Sequence, residues 1–73
     1  MNPLIPGSVY RHFKGGYYTL LHKAKCSSTK SDMIVYMSLK DGQLWVRSRK
    51  EFFGYVDRPD YEYKGPRFTL QEV

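Results

Sequence analysis

A single cysteine, Cys26, stands in 73 residues, so no disulfide forms within the chain. No Cys, His and carboxylate set at metal-ligand spacing surrounds it, and neither a metal nor any other cofactor is expected. A reducing, cytoplasmic setting follows as the expectation. Long apolar runs are also missing. No stretch approaches the roughly 18 residues that span a bilayer, and Met1-Asn2-Pro3-Leu4-Ile5-Pro6-Gly7 has neither the basic start nor the long apolar segment of a secretory signal. No membrane partner is expected. Acidic residues are scarce: seven Asp and Glu stand against twelve Lys and Arg, for a net charge of +5 with both His neutral. That balance favours an anionic partner without specifying which. There is no internal repeat, no low-complexity segment and no composition shift marking a linker. The expectation is therefore one domain over residues 1–73, with one small core and too little interior for a multi-step enzyme.

Aromatic residues, in contrast, are plentiful, at 16% with seven tyrosines, and tyrosine favours half-buried positions and interfaces. Pro3, Pro6 and Gly7 keep the start extended or turned. Ser8 to Phe13 then has strand composition, and Lys14-Gly15-Gly16 supplies the positive φ of a hairpin turn. Tyr17 to Lys25 reads as the second strand, with Tyr18, Leu20, His22 and Ala24 on one face. After a polar loop from Cys26 to Ser31, Asp32 to Leu39 is the most apolar segment and the expected central strand. The Asp41-Gly42 pair marks a second hairpin into Leu44-Trp45-Val46-Arg47. Ser48 followed by Glu51 reads as a capping box opening a short helical turn that ends near Gly54. The stretch from Asp57 to Pro66 has turn residues at both ends and no clear period, so it reads as a surface excursion before a last strand, Arg67 to Gln71. About five antiparallel strands and one helical turn make an all-β fold, whose simplest form is a small SH3-like barrel closing on itself.

Trp45 and Arg47 lie two apart on a strand and so share a face, placing a flat ring beside a fixed positive charge. The candidate anion contacts are Arg11, His12, Lys14, Arg47, Arg49, Lys50 and Arg67. Tyr17, Tyr18, Tyr36 and Trp45 are the candidate stacking surfaces. The plainer alternative has Trp45 and Tyr36 filling the barrel while Arg47 pairs with Asp32 or Glu51. His12 lacks a sequence-local carboxylate to orient it as a base, and His22, on the neighbouring arm, makes with it only a poor metal site. No catalytic residue is assigned.

Several of these pieces occur in one order: Tyr10, His12, Lys14 and Gly15, then Val35 and Tyr36, then Trp45-Val46-Arg47, then Arg67-Phe68. Together with Gly7, Phe13, Tyr18, Ala24, Ser27, Thr29, Leu39 and Phe52 they resemble the bacterial and phage family known as domain of unknown function 1653, from Gly7 onward. The resemblance implies a small SH3-like β-barrel and leaves the activity open. Where the family pattern has an acidic residue between Ser27 and Thr29, this chain has Ser28. Where that pattern follows Trp-Val-Arg with Pro-Leu-Glu-Met-Phe, this chain reads Ser48-Arg49-Lys50-Glu51-Phe52. The comparison implies a less compensated basic site.

The expected function is a non-catalytic binding module for a small anionic ligand, a nucleotide or cyclic-nucleotide immune signal, as in sponge-like anti-defence proteins of phages. A barrel this small does not enclose such a ligand alone, so a rim or inter-protomer pocket and a homo-oligomer are expected. The alternatives are a barrel that binds single-stranded nucleic acid, and a protein-interaction barrel using a sheet edge or the tyrosines at 55, 61 and 63.

Overall fold

Positive φ is open without steric cost only to a residue lacking Cβ, and the chain places glycine at its sharpest turns. In the computed structural model, which describes residues 5–71, Gly15 and Gly16 hold φ of 99° and 86°, and Gly42 holds 73°. The first pair joins β1 (Val9–His12) to β2 (Tyr17–Lys25), and Gly42 lies between β3 (Asp32–Ser38) and β4 (Leu44–Ser48). Asp41 Oδ1 accepts a hydrogen bond from the Gln43 N–H at 3.0 Å, which closes the second turn locally. Both expected hairpins are present. The expectation for Pro3 lies outside the described residues.

Ser48 ends β4 and caps α1 (Arg49–Phe52). Its Oγ accepts from the Glu51 N–H at 3.1 Å and donates to a Glu51 carboxylate oxygen at 3.1 Å. One of the amides that a helix start leaves without a partner is thereby satisfied.

The segment expected to be a patternless excursion is ordered. It holds the second half of β5 (Tyr55–Arg58), a 3-10 turn (Pro59–Tyr61) and β6 (Tyr63–Pro66), with β5 and β6 paired antiparallel. Its order comes from a distant partner. Phe13 stacks on Tyr63 with ring centroids 5.5 Å apart and meets Tyr61 edge-on at 5.7 Å. The Arg58 guanidinium and the Lys14 ammonium lie over the Tyr61 ring at 5.2 and 5.6 Å. Ring and cation–π contacts of this kind fasten the hairpin without an alternating apolar pattern.

The main sheet has the order β4-β3-β2-β1-β7, with β7 at Phe68–Gln71, and all its pairings are antiparallel. These are the five strands expected, and β5 and β6 form a second, two-stranded sheet. In a flat sheet, β3 and β7 would be separated by roughly 14 Å, at about 4.8 Å per strand. Yet Tyr36 on β3 and Phe68 on β7 have ring centroids 5.4 Å apart. The sheet is therefore rolled into a barrel-like form. Curvature closes the core, while β4 and β7 remain edge strands in the ladder among the described residues.

One register detail corrects the alternation read from the sequence. Leu20 faces Tyr36, but His22 faces Val35 and Lys23 faces Ile34, because a bulge intervenes between Leu20 and His22. A bulge inserts one residue and exchanges the two faces of the strand beyond it. Tyr18 and Leu20 stay on the core side with Tyr36, whereas beyond the bulge Lys23 and Lys25 share that side and His22 and Ala24 do not. The core itself comprises Tyr10, Leu20, Ile34, Tyr36, Phe52 and Phe68. Phe52, carried by α1, stacks on Phe68 at 4.2 Å and presents its edges or face to Tyr10 and Tyr36, each at 5.2 Å.

Candidate functional site

Cross-strand partners share a face of a sheet, so the register alone directs the candidate residues. Trp45 lies opposite Tyr36 and Arg47 opposite Ile34, which turns both side chains toward the core face of β4. Because β4 is an edge strand, they reach that face at its open margin. Trp45 is 52% exposed, whereas Tyr36 is 5% exposed and belongs to the core. Of the two residues that the plainer reading placed inside the barrel, only Tyr36 is there. Its hydroxyl accepts from Arg47 Nε at 3.5 Å, a long and weak contact. His12, opposite Phe68 on β7, completes the ring from the other side. His12, Tyr18, Tyr36, Trp45, Arg47 and Phe68 line a cavity of about 190 Å³.

The turn that follows β1 sets the imidazole. His12 Nδ1 accepts from the Lys14 N–H at 3.1 Å, so the neutral ring carries its proton on Nε2. Its faces and edges are held by Phe13 at 4.6 Å and Phe68 at 4.8 Å. Burial, followed by the positive charges of Arg47, Arg67 and Lys14, lowers the His12 pKa to about 4. The imidazole is therefore neutral at physiological pH and offers a hydrogen-bond donor in a positive field. That field has little local compensation. Among the described residues the ion pairs are Lys25–Asp32 and Arg58–Asp60, and Glu51 takes the Ser48 hydroxyl, so neither carboxylate considered for Arg47 is paired with it.

This shift carries a sign for stability. Between pH 6.5, the ordinary histidine value, and about 4, the unfolded chain binds a proton on His12 that the folded chain does not. The His12 contribution is complete above pH 6.5 and is lost progressively as the pH falls toward 4. His12→Asn, which keeps an acceptor for the Lys14 amide, is expected to flatten the pH dependence of urea unfolding across that window. An unchanged slope would show that His12 does not titrate in this way.

The remaining candidates are dispersed. Lys14 and Arg67 act on His12 through their charge, and Arg67 Nε donates to the Glu51 carbonyl at 3.1 Å. Arg11 pairs in register with Tyr17 and Thr69, which puts it and Tyr17 on the sheet face opposite His12. Arg49 and Lys50 border a separate groove of about 490 Å³ beside α1. His22 faces away from His12, on the Val35 side of the sheet. The sequence reading omitted Phe68 from the site. A lone apolar residue in a terminal strand carries no chemical signature, although its place in the Arg67-Phe68 pair had singled it out as a motif residue.

Three comparisons bear on this arrangement. The model of a family described as a protein of unknown function, DUF1653, matches residues 8–70. A crystal structure of a DUF1653 protein from Bordetella bronchiseptica is 31% identical, with a TM-score of 0.73, over 89% of this chain and 83% of that one. No curated protein matches the chain. The match along nearly the whole sequence, and a shared fold at this level of identity, establish that the chain belongs to the DUF1653 family.

Proposed function

We propose that the chain is a non-catalytic binding module for a small planar ring bearing an anionic group, of which a nucleotide is the best-fitting class. The observation that carries this reading is the half-exposed indole of Trp45 sharing a cavity with Arg47 and a neutral His12. In this reading, the indole receives the ring by stacking. The Arg47 guanidinium holds phosphate oxygens with two parallel N–H donors, which a lysine does not reproduce. His12 Nε2–H donates to a ring or phosphate acceptor, and Lys14 and Arg67 add to the attraction through their charge. With its pKa near 4, His12 is a weak base at neutral pH, which favours capture over turnover.

The cavity, at about 190 Å³, is smaller than the roughly 300–1,000 Å³ of pockets that enclose drug-sized ligands. It suits one ring, with the anionic group at the rim. A cyclic di- or trinucleotide signal would place one base in each of several cavities, so a sponge-like role entails a homo-oligomer. Calorimetric titration with mononucleotides, cyclic di- and trinucleotides and ADP-ribose derivatives tests the proposal. Saturable heat at micromolar concentration is expected from at least one member. Silence from the entire panel would remove the nucleotide reading.

A further inference from the structure

Beyond the bulge in β2, the exchanged alternation brings Lys23 and Lys25 to the same side as Ile34 and Asp32. These residues and Arg49 line a groove of about 360 Å³. A second groove, of about 490 Å³, shares Asp32 and Arg49 as walls and continues past Ser31, Ser48, Lys50 and Phe53. The two grooves thus adjoin at Asp32 and Arg49, and together they form a basic trough from the far end of β2 to α1. Four cations line it, Lys23, Lys25, Arg49 and Lys50, against one carboxylate, Asp32. That carboxylate is already engaged: Lys25 Nζ donates to its Oδ1 at 2.7 Å, and this bond, followed by the charges of Lys25, Arg49 and Lys23, holds it below the usual carboxylate range. Lys23, Arg49 and Lys50 are left facing the trough with no carboxylate bonded to them among the described residues.

We infer that this trough is a binding site for single-stranded nucleic acid, distinct from the His12 cavity. Its charge is complementary to a phosphodiester backbone, and its cations are spread over two elements, Lys23 and Lys25 on β2 and Arg49 and Lys50 on α1, rather than gathered at one point. The Arg49 guanidinium lies over the Phe53 ring at 6.0 Å, and a guanidinium or aromatic plane among cations is what a splayed base stacks on. A bare phosphate chain would use the cations and leave that plane idle. Ser31 and Ser48 complete the wall with small uncharged side chains.

Fluorescence anisotropy with a labelled oligothymidylate tests the assignment on the full chain. Three displaced phosphate counterions give a log–log salt slope of about −2, or a roughly twentyfold loss of affinity between about 50 and 200 mM salt. Lys23→Glu with Lys50→Glu is expected to weaken binding at least tenfold by order of magnitude, since it removes two of these contacts. Arg11→Glu with Lys40→Glu changes the net charge equally but lies away from the trough, and should cost less than about threefold. Phe53→Leu should weaken oligothymidylate several-fold while leaving competition by inorganic polyphosphate unchanged. Thermal unfolding checks each variant, and the single Lys23→Gln replaces the double variant if that one does not fold. No saturable rise at the lower salt, or equal losses from the two charge-reversed pairs, would overturn the inference. Polyphosphate binding as tight as oligothymidylate, with no effect of Phe53→Leu, would also overturn it in favour of a bare phosphate chain. Trp45→Ala leaves this site intact, so its outcome is separable from that of the His12 cavity.

Discussion

Phe52→Ala is expected to cost about 3 to 5 kcal/mol of folding stability, as large-to-small aromatic deletions in well-packed cores do. Urea unfolding followed by circular dichroism measures it. Phe52 is fully buried and stacks on Phe68 at 4.2 Å with an interplanar angle of 11°. Its ring also meets Tyr10 on β1 and Tyr36 on β3, so one side chain of a four-residue helix holds three strands of the rolled sheet together. Small domains sit low in the range of about 5 to 15 kcal/mol that folded proteins command, so this loss removes most of the margin. The cavity left behind cannot collapse easily, because the rings around it are fixed by the sheet. Phe53→Leu, at a half-buried position that retains an apolar side chain, should cost much less. A loss below about 1 kcal/mol for Phe52→Ala would mean that the ring stack does not organise the core.

The second large effect concerns the cavity. With a nucleotide that binds the wild type, Trp45→Ala should weaken affinity by about 1 to 3 kcal/mol, the value of one aromatic stacking contact. By the factor of ten per 1.4 kcal/mol, that is roughly fivefold to more than a hundredfold. Arg47→Gln should reduce affinity comparably, and Arg47→Lys should restore little, because the two-pronged geometry is lost even though the charge remains. Neither change should move the unfolding midpoint much. Trp45 is half exposed on an edge strand, and the Arg47 side-chain hydrogen bond among the described residues is the long contact to Tyr36. Calorimetry against stability for the same variants separates the two properties. Affinity within twofold of wild type for Trp45→Ala would exclude the indole as the wall that receives the ring.

How much of this was legible without coordinates depended on the range of the interaction. The turns at Gly15-Gly16 and Asp41-Gly42 and the cap between Ser48 and Glu51 depend on residues a few positions apart, and their chemistry is written in the residue types. The β5–β6 hairpin was not legible, because Tyr61, Tyr63 and Arg58 are ordered by Phe13 and Lys14, more than forty positions earlier in the chain. The bulge in β2 was hidden for a related reason. Nothing in Leu20-Leu21-His22 marks an extra residue, and only pairing with β3 shows that Lys23 rather than His22 shares a side with Ile34.

The candidate site divides in the same way. Strand periodicity by itself determined that Trp45 and Arg47 share a face, and composition determined that the surface carries surplus positive charge. Which face they share, and which cations join them, were decided by the roll of the sheet. It brings His12 on β1 and Phe68 on β7 to the same cavity as β4 and leaves Arg49 and Lys50 in another groove, whereas Arg11 is on the far side by its alternation with His12 along β1. The physical reason is that alternation along a strand is a local property of the backbone, whereas curvature across five strands arises only when the aromatic core packs against α1.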